Sequence, residues 1–85
     1  MTTQEITKLI DKDLDSRGLA KPNIRKNALR RVLEYMETSE EHIIAGEITL
    51  PPDKEEFKEK MERIKGKKLN DAESSVINMI YKYCK

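Results

Sequence analysis

Eighty-five residues, 36% hydrophobic and 39% charged, make one small domain over 1–85 and leave its core thin. The lone Cys84 excludes an internal disulfide and fits a reducing cytoplasm. With 17 basic against 16 acidic residues the net charge is +1, so bulk charge selects no partner and only its local sorting can.

No apolar run approaches the roughly 18 residues that span a bilayer, so no membrane partner is expected. The opening Met-Thr-Thr-Gln-Glu has neither the basic nor the apolar region of a signal peptide, and the expected location is cytoplasmic. A core this thin favours a homodimer that extends it.

Taken in chain order, Thr2 with Glu5 spells a capping box, and Ile6, Leu9, Ile10 and Leu14 follow at helical spacing. Arg17 suits a last turn and Gly18 a left-handed cap, which predicts a first helix over about 3–17. Pro22 suits a first helical position. From there Ile24, Ala28, Leu29, Val32, Leu33, Tyr35 and Met36 cover one face of a second helix reaching the high thirties. Arg25 falls within that apolar face, which marks an exposed first turn or a functional cation.

Thr38 with Glu41 predicts a break and a new short helix through Ile44. Gly46 and Pro51-Pro52 frame Glu47–Leu50 as an extended segment that pairs across a dimer or lies over the core. Asp53 with Glu56 opens a third helix, with Phe57, Met61 and Ile64 as its stripe and Gly66 as its end. Asn70 with Glu73 opens a fourth, seamed by Ala72, Val76, Ile77, Ile80 and Cys84. The expected fold is all-α: a small bundle of about four helices with an extended Gly/Pro-framed linker near 45–52.

Charge is sorted sharply along this frame. Arg17, Lys21, Arg25, Lys26, Arg30 and Arg31 occur without an acid between them, and Glu34, Glu37, Glu40, Glu41 and Glu47 without a lysine or arginine. Four of those six cations are arginines, whose forked donors suit phosphate oxygens. The candidate nucleic-acid contacts are therefore Lys21, Arg25, Lys26, Arg30 and Arg31, with Lys65, Lys67 and Lys68 as a second group. No aromatic residue is interleaved with the cations, so stacking on bases would rely on arginine or a tyrosine. The long Gly18–Asn23 connection and the acids from Glu34 onward favour shape-driven RNA binding over sequence-specific DNA reading.

Catalytic patterns fail on their own requirements. The single histidine, His42, follows two acids, Glu40 and Glu41, that supply no nucleophile, so it reads as a surface or helix-end residue. No cysteine–histidine cluster has zinc spacing. Asp11, Asp13 and Asp15 resemble a calcium-loop opening but lack its glycine and closing glutamate. Gly66-Lys67-Lys68 lacks the earlier glycine and the hydroxyl residue of a phosphate loop. No enzyme activity, cofactor or metal is expected.

In general character, carried by stretches such as Glu55-Glu56-Phe57-Lys58-Glu59-Lys60 and Ile77-Asn78-Met79-Ile80-Tyr81-Lys82, the chain resembles the small accessory and anti-defence proteins of large lytic bacteriophages. That resemblance implies a protein of the host cytoplasm that binds and disables a host factor, such as a toxin of a toxin–antitoxin system.

Together these readings predict a non-enzymatic inhibitor module that holds RNA on its basic helix surface. One rival is a protein–protein inhibitor or adaptor without nucleic acid, anchored by Ile43, Ile44, Ile48, Leu50 or Tyr83. Another is a small DNA-binding regulator.

Overall fold

The computed structural model describes residues 1–84. Its order is α1 (Thr3–Ser16), α2 (Pro22–Glu37), β1 (Ile43–Ile44), β2 (Glu47–Ile48), α3 (Lys54–Lys65) and α4 (Asp71–Tyr83). The fold is a small, mostly helical bundle of these four helices with one short hairpin.

Local chemistry sets the helix ends. At α1 the Glu5 amide donates to Thr2 Oγ1 and the Thr2 amide to Glu5 Oε1, each at 3.1 Å. At α4 the Glu73 amide donates to Asn70 Oδ1 (2.8 Å) and the Asn70 amide to Glu73 Oε1 (3.0 Å). Asp53 caps α3 by accepting from the Glu55 amide at 2.9 Å and the Glu56 amide at 3.4 Å. Gly66 ends that helix at φ 79°, a left-handed conformation with little cost for glycine.

Helix α2 is the central element and packs on α1, α3 and α4. It presents Ala28, Leu29, Val32, Leu33 and Met36 to the core. Ile6, Ile10 and Leu14 meet them from α1, Phe57 and Met61 from α3, and Val76, Ile77, Met79 and Ile80 from α4. Burying each such large apolar side chain contributes about 1.5–3 kcal/mol. Leu9, Ile24 and Ile64, expected on the apolar faces, stay 39%, 53% and 38% exposed. They sit at the margins of stripes narrower than the spacing suggests.

The region after α2 differs from expectation. Thr38 does not start a helix; it closes α2, its amide donating to Glu34 O (3.2 Å) and its hydroxyl to Tyr35 O (2.7 Å). A turn over Ser39–His42 then leads into the antiparallel pair β1–β2, with Ile43 opposite Ile48 and Ile44 opposite Glu47. The segment 47–50 thus pairs within its own chain.

The start of the chain adds a third extended piece. The Ile48 amide donates to Met1 O (2.8 Å), the Thr3 amide to Gly46 O (3.3 Å), and Thr2 bridges Glu47. The Met1 ammonium lies 2.8 Å from Glu47 Oε2.

His42 is not a surface residue. It is 2% exposed, with its ring edge-on to Phe57 at 5.0 Å between centroids. Its Nδ1 lies 3.4 Å from Thr49 O, and its Nε2 is buried without a partner. Phe57 in turn meets Tyr81 edge-on at 5.7 Å, so one aromatic column joins the hairpin, α3 and α4.

Candidate nucleic-acid interface

Half of the eight candidate cations are committed to the fold. On α2, Lys26 Nζ lies 2.7 Å from Asp15 Oδ1, and Arg30 Nη2 donates to Asp11 Oδ2 at 3.2 Å. Both acids are on α1, so these pairs tie α1 to α2. Arg17, the first cation of the run, pairs with Asp13 on its own helix at 2.7 Å.

Arg31 and Lys65 converge on Glu73. Arg31 Nε donates to Glu73 Oε2 (3.3 Å), Tyr35 Oη donates to the same oxygen (3.1 Å), and Lys65 donates to Oε1. Glu73 has no solvent exposure and sits in the first turn of α4. Burial opposes its charge, but the Asn70 amide, Lys65, Tyr35 and Arg31 outweigh that cost and hold its carboxyl at about 2. Burial, then donation to Glu73, pushes the Tyr35 hydroxyl upward. The network joins α2, α3 and α4 at one buried carboxylate. In the sequence Glu73 is legible only as a cap, since its partners lie up to 42 residues away.

Lys21, Arg25, Lys67 and Lys68 form no ion pair among the described residues. Lys21 and Arg25 line an open groove of about 370 Å³ with Leu19, Ala20, Ile24, Asp71 and Ala72. The N-terminal ends of α2 and α4 meet there, and both helix dipoles present their positive ends. No side chain caps α2, whose first turn holds no acid. Arg25 is half-buried, and its Nε is inaccessible to solvent and has no acceptor. Asp71 is the one carboxylate lining the groove among the described residues.

Lys67 and Lys68 belong to the turn between α3 and α4. With Arg63 they line a second open groove, which Glu59, Glu62 and Gly66 complete. Glu62 is partly occupied there, accepting the Leu69 amide at 2.9 Å. The expected basic surface is therefore divided. Lys21 and Arg25 share one groove and Lys67 and Lys68 another, whereas Lys26, Arg30, Arg31 and Lys65 are held by carboxylates.

Among the described residues no group of three or more His, Cys, Asp or Glu side chains is placed to hold a metal ion. No described helix is long and apolar enough to cross a membrane. No protein-family model matches the sequence, and searches of curated proteins and of solved structures likewise found no match.

Proposed function

We propose that the protein is a non-enzymatic RNA-binding module that seats backbone phosphates at the groove between the starts of α2 and α4. Lys21 and Arg25 supply the charge, and Lys67 and Lys68 a second contact. The observation that carries this reading is Arg25, whose side chain lines an open groove while its Nε is buried without an acceptor among the described residues. An ordinary surface arginine keeps its donors in water, and a structural one is paired, as Arg30 and Arg31 are.

Phosphate oxygens satisfy a forked donor, and two positive helix ends strengthen the site. Leu19, Ile24 and Ala72 give the groove an apolar wall against which a sugar or base can rest. The module acts by occupying its RNA and not by transforming it.

The test is fluorescence anisotropy with a labelled mixed-sequence single-stranded RNA at low and moderate salt. Binding should weaken steeply with salt, by about 0.7 logarithmic units of affinity per unit of log salt for each phosphate contact. It should vanish in Lys21→Glu/Arg25→Glu. Retention of full affinity by that variant, or no binding at low salt, would sink the reading.

A further inference from the structure

The hairpin carries an open edge at the opposite end of α2, about 24 Å along that 16-residue helix from the groove. Strand β2 lies in the middle: β1 flanks it on one side and Met1–Thr3 on the other. The Ile48 amide points to Met1, away from β1, and the Thr49 amide donates to His42 O at 2.7 Å. Antiparallel pairing alternates, so the Ile43–Ile48 pair is the one whose backbone groups point outward.

The Ile43 N–H and C=O consequently face away from β2, and neither has a hydrogen-bond partner among the described residues. Backbone groups without a partner belong in water or against another chain. The inner face of the pair is occupied, because Ile43 and Ile48 pack on the core. On its outer face Ile44 is 57% exposed, the most exposed large apolar residue among the described ones.

We propose that the β1 edge docks an extended, basic segment of a partner protein, which adds a strand alongside Ile43 and covers Ile44. Strand addition uses the two free backbone groups for affinity and the outward side chain for selectivity. Charge complementarity names the partner's chemistry. The turn leading into β1 carries Glu40, exposed and in no ion pair among the described residues. Glu41 is shared with Lys60 at 3.4 Å, and its side chain is still 70% exposed. A second copy would bring a surface of the same negative sign to this edge, which disfavours self-pairing there.

The experiment uses the intact protein and a fluorescein-labelled peptide alternating lysine and valine, with a glutamate–valine peptide as control. The basic peptide should bind, more weakly as salt rises, and should slow hydrogen exchange at the Ile43 amide. Ile44→Lys should weaken it by about tenfold or more with an unchanged melting curve, because the residue is exposed. Glu40→Lys/Glu41→Lys should weaken it mainly at low salt. Lys21→Glu/Arg25→Glu should leave it intact, which separates this edge from the RNA groove.

Absence of binding at low salt, equal binding by Ile44→Lys, or unaltered Ile43 exchange in the complex would overturn the proposal. Concentration-dependent self-association abolished by Ile44→Lys would overturn it too, and would assign the edge to a second copy.

Discussion

Lys65, the last residue of α3, donates to Glu73, a carboxylate with no solvent exposure in the first turn of α4. Arg31 and Tyr35 reach the other oxygen of the same group from α2. A single side chain therefore fixes the start of α4 against two other helices. Glu73→Gln keeps the shape but removes the charge that Arg31 and Lys65 were placed to meet. Both cations keep some access to water, so they rehydrate in part, and the loss should be about 2–4 kcal/mol of unfolding free energy. A urea titration measures it, and a midpoint shift near zero would contradict the role given to Glu73.

The same group sets an acid limit. Its folded value of about 2 lies below its ordinary 4.5, so folding binds fewer protons there than the unfolded chain does. The contribution is complete above about 4.5 and is lost as pH falls through about 2. Asp13, held down by Arg17 and then Tyr83, adds a smaller effect of the same sign. Stability should fall with acidification across that window. Glu73→Gln should flatten the fall, although its stability near neutrality starts lower. Parallel pH profiles for the two proteins would refute the assignment.

Which parts of this were legible beforehand follows the range of each interaction. The capping pairs Thr2–Glu5 and Asn70–Glu73 and the stop at Gly66 act within one turn, and the chain spells them out. The hairpin does not announce itself, because two-residue strands have no period to read and Ala45-Gly46 is a poorer turn signal than Asn-Gly. Its third piece, Met1–Thr3, comes from the far end of the sequence. His42 follows two glutamates in the sequence and yet packs on Phe57, a contact only tertiary folding creates. For the basic run, sequence could count cations but not find Asp11, Asp15 and Glu73, which hold Arg30, Lys26 and Arg31.

The hairpin turn stores strain that can be relieved. Ala45 has φ 54° and Gly46 φ 81°, and the left-handed region is costly for alanine. Ala45→Asn accepts that conformation without the entropic cost of a second glycine, so it should stabilise the fold by about 0.5–1 kcal/mol. A melting temperature unchanged or lowered in this variant would show that the turn is not under strain.

Phe57 and His42 touch, yet they should respond very differently to substitution. Phe57 is fully buried beneath the hairpin, and Phe57→Ala removes a ring packed on both His42 and Tyr81. The cavity should cost about 3–5 kcal/mol. His42 contributes one long contact to Thr49 O and buries Nε2 with nothing to bond. His42→Leu trades those polar atoms for apolar ones and should change stability by less than about 1 kcal/mol. Equal losses from the two variants, read by chemical denaturation, would contradict this account of the column.

The division of the cations makes the last prediction the most discriminating for function. Lys26 and Arg30 look as basic as Lys21 and Arg25 in the sequence, but Asp15 and Asp11 already neutralise them. Pairs of this kind have one exposed partner each, with Asp15 59% and Arg30 51% exposed, so each is worth no more than about 1 kcal/mol. Lys26→Gln/Arg30→Gln should therefore lower stability slightly and leave the salt slope of RNA binding nearly unchanged. Lys21→Gln/Arg25→Gln should leave stability near the wild-type value, since neither cation is in an ion pair, and should reduce the salt slope by about 1.4 units for two lost phosphate contacts. Charge counting alone predicts equal effects from the two double variants, so parallel measurement of melting and of affinity against salt decides between them. If the Lys26/Arg30 variant lost the larger slope, RNA would have to displace Asp15 and Asp11, and the groove would not be the seat of binding.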